Sequence, residues 1–73
     1  MPVQSVVFER SDNWTMSQMM QFLRKNNFKD MKGVHPTETQ YRWRITDPHL
    51  YKRMFSRKTK FLGKPVQIVI GIE

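Results

Sequence analysis

The chain has 73 residues, with 13 Lys and Arg against 6 Asp and Glu, and a formal net charge of +7. That length admits a single domain, residues 1–73, near the lower limit of what folds without staples. The lack of cysteine excludes disulfides and thiolate metal sites. No apolar run or signal-peptide pattern points to a membrane or to export.

The charge is unevenly spread. Residues 1–41 carry a net +1, from Arg10, Arg24, Lys25, Lys29 and Lys32 against Glu9, Asp12, Asp30 and Glu38. Residues 42–64 carry +7, from Arg42, Arg44, Lys52, Arg53, Arg57, Lys58, Lys60 and Lys64 against Asp47 alone, and Glu73 removes one. The electrostatic field of the molecule therefore comes from its second half. Trp14, Trp43, Tyr41, Tyr51 and five phenylalanines are large enough to fill a small core.

In chain order, Val3 to Phe8 is a β-branched run that reads as a first strand, broken at Ser11-Asp12-Asn13. A helix over residues 15–26 follows. Thr15 can cap it, Gln18 is the return partner of a capping box, and Trp14 can staple onto Met19. Met19, Phe22 and Leu23 share one helical face, while Met16 and Met20 are candidates for exposure. Asn26-Asn27 can take the left-handed stop, and Phe28 can fold back onto the last turn. Met31 to Val34 fits a short strand and His35 to Glu38 a turn.

Thr39 to Thr46 is the most informative strand. Period-two alternation puts Tyr41, Trp43 and Ile45 on one face and Arg42 and Arg44 on the other. Asp47-Pro48 ends it, and His49 to Phe55 fits either a single helical turn or a loop. Ser56 to Leu62 reads as a strand whose lysines discourage edge pairing. Gly63-Lys64-Pro65 turns the chain, and Val66 to Ile72 alternates as a central strand. The order β-α-β-β-β-β predicts an α+β two-layer sandwich, one helix on a mainly antiparallel sheet of four or five strands.

Catalysis finds little support. The six carboxylates are scattered, and His35 and His49 sit beside prolines near turns with no ligand spacing around them. They read as surface histidines, not as a metal site. Three glycines form no phosphate-cradling loop. No cofactor, metal or catalytic residue is expected.

The basic segment carries more. Arg42, Arg44, Lys52, Arg53, Arg57, Lys58, Lys60 and Lys64 could neutralise phosphates and gain from counterion release. Arginines on a strand are held more rigidly than on a tail and suit bidentate contact. The plainer reading is a solvated surface that keeps a small domain soluble. Tyr41, Trp43, Tyr51 and Phe55 interleave with the charge. They read mainly as core, with Tyr51 the best candidate for stacking on a base.

The series Gln4-Ser5-Val6-Val7-Phe8, Trp14-Thr15, Phe22 to Lys29, Tyr41-Arg42-Trp43-Arg44, Asp47-Pro48, Arg57-Lys58-Thr59-Lys60 and Gly63-Lys64 through Gly71 spans nearly the whole chain. It resembles a small domain that recurs in large DNA viruses and tailed phages, alone or attached to virion-assembly proteins such as prohead proteases. Asn27 stands where similar domains often carry glycine. The resemblance implies a viral or phage origin and a location inside the host cell or in the virion, and carries over no catalytic residue. The resulting expectation is a non-enzymatic accessory protein that binds DNA or RNA through the basic residues named above. The alternatives are a virion assembly module docking an acidic protein partner, or a small regulator of a host protein.

Overall fold

The computed structural model describes residues 3–28 and 33–72. Five strands form one antiparallel sheet: β1 (Val3–Glu9), β2 (Val34–Pro36), β3 (Gln40–Arg44), β4 (Arg53–Phe61) and β5 (Lys64–Ile72). Their spatial order is β2-β3-β1-β5-β4. One helix, α1 (Met16–Lys25), covers one face, and the result is an α+β fold in two layers. β1 lies in the middle, paired with β3 on one side and β5 on the other, and Gln4 to Phe8 are buried without interruption.

Local signals set α1. Thr15 Oγ1 accepts from the Gln18 N–H at 3.1 Å, and Gln18 Oε1 accepts from the Thr15 N–H at 3.1 Å, so the capping box is complete. At the other end Asn27 has φ 58°. The Asn27 N–H donates to the Arg24 carbonyl at 3.1 Å, and the Phe28 N–H to the Leu23 carbonyl at 2.9 Å. That pair of bonds is a Schellman stop. The inward stripe is Met19, Phe22 and Leu23, while Met16 and Met20 face water.

Several boundaries differ from the sequence reading: β3 is shorter than the expected Thr39–Thr46, and β4 begins at Arg53 where the sequence suggested Ser56. His35 and Pro36 belong to β2, and the turn lies at 37–39, where the Gln40 N–H donates to Thr37 Oγ1 at 3.0 Å. Pro36 is tolerated because β2 is an edge strand and needs no further donor there. Of the strand expected at Met31–Val34, Met31 and Lys32 lie outside the described residues. The final hairpin turns at Leu62-Gly63, with φ 54° and 75°, so Lys64 and Pro65 already belong to β5. Two successive positive φ angles match the twist of a tight hairpin. Between β3 and β4 the chain makes a 3₁₀ turn at Pro48–Leu50, where Asp47 accepts from the His49 N–H at 2.9 Å.

The core is largely aromatic. Phe8 stacks on Trp14 at 4.8 Å, Phe22 meets Phe61 edge-on at 5.3 Å, and Trp43 donates its indole N–H to Met19 Sδ at 3.4 Å. Among the described residues no α-helix lies on the sheet face away from α1, although Ser5, Val7 and Val69 on that face are buried. At one end, however, the 45–52 connection returns over it, and the ring of Tyr51 lies on Gly71. Its hydroxyl shares a 2.7 Å hydrogen bond with Thr46 Oγ1, which also donates to the Val3 carbonyl at 3.1 Å. A Cβ at residue 71 would overlap the Tyr51 ring carbons. Gly71→Ala should therefore destabilise the fold by about 1–3 kcal/mol, the usual cost of overpacking. Thermal unfolding followed by circular dichroism should record the lower Tm, with part of the loss recovered in the double variant with Tyr51→Ala. A Gly71→Ala variant that melts with the parent would mean the ring is not seated there.

Candidate nucleic-acid interface

Strand register decides which cations meet. Directly opposed residues in antiparallel neighbours share a face, so His35, Arg42, Val7, Gln67 and Lys58 form one row across all five strands. Val6, opposite Trp43 and Ile68, belongs to the core under α1, so this row lies on the other, open face. The next row along is Arg44, Ser5, Val69 and Ser56. On the other side of the first row stand Gln40 and Glu9 at one end and Lys60 at the other.

Arg42 and Arg44 on β3 and Lys58 and Lys60 on β4 thus make two cationic rails with β1 and β5 between them. Three strand spacings of about 4.8 Å separate the rails by roughly 14 Å. The floor between them is Ser5, Val7, Pro65, Gln67 and Val69. Arg42, Lys58 and Lys60 are exposed and Arg44 is half-buried. Val7 is 2% exposed although no helix covers it. Among the described residues, no ion pair joins any of the four cations to a carboxylate.

The other candidates go elsewhere. Arg53 and Arg57 sit on the helix-side parity of β4, opposite Ile72 and Ile68, so Arg57 does not join Lys58 and Lys60. Lys52 precedes β4, exposed, with its backbone N–H bound to the Ile72 carbonyl at 3.0 Å. Lys64 lies under the helix start. Its Nζ donates to the Asn13 carbonyl and to Gln18 Oε1, both at 3.2 Å, and sits 4.8 Å from the Trp14 ring centre. It is a structural cation. Tyr51 is half-buried, with its hydroxyl engaged and its ring on Gly71. Trp43 is buried, Tyr41 is half-buried beneath the Arg10 guanidinium, and Phe55 is exposed on β4.

Sequence reasoning missed Glu9, which shares the open face and accepts from Gln40 Nε2 at 2.8 Å. Its parity with Val7 was the available signal. The depression beside it, lined by Val7, Glu9, Lys58, Pro65 and Gln67, holds about 60 Å³. That is far below the roughly 300–1,000 Å³ of small-molecule pockets. Among the described residues, no three His, Asp or Glu side chains come together in a metal-binding cluster. No helix among them is long and apolar enough to cross a membrane.

The class defined here is a basic α+β domain with one helix-covered sheet face and one open, cation-railed face. No family model, no curated protein and no solved structure matches the chain significantly.

Lys64→Ala tests the division of labour among the cations. It should lower Tm by several degrees, through loss of the helix-start hydrogen bonds and of a cation–π contact of about 0.5–2 kcal/mol. If the open face binds duplex DNA, the affinity measured by fluorescence anisotropy should change by less than about three-fold, since the Lys64 ammonium is already engaged by Asn13 and Gln18. An affinity loss matching that of the Arg42 and Arg44 changes, without a Tm shift, would return Lys64 to the interface.

Proposed function

We propose that this domain binds nucleic acid through its open sheet face, by phosphate contacts from Arg42, Arg44, Lys58 and Lys60. The observation that carries the reading is the presence of four cations on one face, none joined to a carboxylate by an ion pair among the described residues. Arginines anchored on β3 offer fixed, fork-shaped donors, and the lysines opposite supply mobile point charges. Phosphate contacts position a protein without reading bases, so binding is weakly sequence-specific. The sequence resemblance supports a viral or phage setting for this activity.

Two features favour a duplex over a single strand. Among the described residues the open face offers no free Phe, Tyr or Trp platform: Tyr51 is tied to Gly71 and Thr46, the exposed ring there is the small imidazole of His35 at the β2 edge, and base stacking is what single-strand binders rely on. The rails, roughly 14 Å apart, suit two backbones flanking a groove about 12 Å wide. Glu9, between them, repels phosphate and keeps the contacts on the rails.

Anisotropy titrations with labelled duplex and single strands, from about 50 to 200 mM salt, test this directly. Four phosphate contacts predict a log–log salt slope of about −3.6 on duplex DNA. The double variant Arg42→Ala/Arg44→Ala should reduce that slope by about 1.8 and weaken duplex binding at least ten-fold, with Tm unchanged. Absence of binding at the lowest salt, or unfolding of the double variant, would sink the open-face reading. A clear preference for single strands would shift the contact to Tyr51 and its surroundings.

A further inference from the structure

The two edges of the sheet are built differently. β2 is three residues long and ends in Pro36, so it offers little to pair with. β4 is nine residues long, about 30 Å of strand, and eight of its residues are exposed. Its sole strand neighbour is β5. Among the described residues, the backbone groups on its outer side have no partner.

The side chains on β4 are of two kinds. Toward its start stand Met54 and Phe55, 47% and 39% exposed, with Leu50 at 63% just before the strand. From the middle onward come Arg57, Lys58 and Lys60, and Arg53 opens the strand. Strand parity distributes these charges to both faces: Arg53 and Arg57 on the helix side, Lys58 and Lys60 on the open side. Arg53–Phe61 contains no acidic residue.

We infer that the outer edge of β4 receives an acidic, extended peptide segment of another protein, added to the sheet as a sixth strand. Main-chain hydrogen bonds supply the affinity in such strand addition, and side-chain pairs supply the selection. Carboxylates on either face of the incoming strand meet Arg57 on one side and Lys58 or Lys60 on the other. Aliphatic residues at its other end cover Met54 and Phe55. A second copy of this chain is the wrong occupant. An antiparallel pair centred on Arg57 would set arginine directly against arginine and double the positive charge along the seam, and like charges directly opposed are destabilising.

This surface is distinct from the phosphate-binding rails in the residues that test it. Arg57 belongs to the edge and not to the open face, while Arg42 and Arg44 belong to the open face and not to the edge. The probe is a fluorescein-labelled nine-residue peptide with consecutive Glu residues in the half that meets Arg57 to Lys60 and consecutive Val residues in the half that meets Met54 and Phe55, so that both faces carry carboxylates; it is titrated against the full chain. Its controls are a Val/Lys peptide of equal length and a Val/Glu peptide with a central proline. Amide hydrogen exchange read by NMR locates the contact.

The acidic peptide should bind at least ten-fold more tightly than either control, with alternate amides of Arg53–Phe61 gaining protection. Arg57→Glu should weaken it at least five-fold while changing duplex binding less than two-fold. The Arg42→Ala/Arg44→Ala variant should show the reverse pattern. Equal binding of the proline-containing peptide, or protection confined to the Arg42/Arg44 surface, would overturn the inference, because charge attraction alone would then explain the complex. A concentration-dependent dimer in sedimentation, abolished by Arg57→Glu, would likewise overturn it and make a second copy the occupant.

Discussion

The indole of Trp14 is the joint on which the two layers depend. It precedes the helix cap, stacks on Phe8 of β1 at 4.8 Å, runs nearly parallel to Phe61 of β4 at 6.4 Å and carries Lys64 of β5 on its face. A ten-residue helix has little stability of its own in water. Its position comes from what it is pinned to, and Trp14 pins its start to three of the five strands. Trp43 holds the same region from β3, its N–H pointing at Met19 in the second turn. The Trp14 N–H is buried with no partner, an omission that costs about 1–3 kcal/mol. Ring stacking and the buried area of so large a side chain offset it.

That arrangement explains where the charge went. Aromatic residues from β1, α1, β4 and the segment after α1 fill the helix-side core, so its cations are limited to those that lie over rings or cap the helix. Lys64 over Trp14 and Lys25 over Phe61 are both of this kind. The remaining basic residues of the second half fall on the open face or on the β4 edge. There their mutual repulsion is tempered by water and salt and by the single Glu9 carboxylate between the rails. A net charge of +7 on so small a body works against compactness, and confining it to surfaces that α1 does not cover limits that cost.

How much of this was legible in the sequence follows the range of the interactions involved. The helix was legible because its signals are local: Thr15 with Gln18 at the start, and Asn27 with Phe28 at the end. The two-faced β3 was legible because alternation is a property of the strand alone. Grouping Arg57 with Lys58 and Lys60 went against that same alternation, since neighbours in a strand face opposite ways. Lys64 and Tyr51 were not legible as structural residues. Their partners, Asn13 and Gln18 for one and Gly71 for the other, are 20 to 51 positions away and meet them only through the sheet order. The hairpin turn was displaced because Leu62 takes a left-handed conformation that its residue type disfavours.

Parity along β4 has a consequence for the molecule as a whole. One strand, by alternation, contributes Lys58 and Lys60 to the open face and Arg53 and Arg57 to the helix-side rim of its own edge. An anionic polymer on the open face and an acidic strand on the edge would share only the lysines, so the two occupants would oppose each other without excluding each other. The arginines make the separation possible. Arg42 and Arg44 are held three strands away on β3, beyond reach of anything paired to β4, while Arg57 points away from anything lying on the rails. A sheet with one helix-covered face would thereby present two separable cationic surfaces, and their independence rests on the register that the core residues Val6, Trp43 and Ile68 enforce.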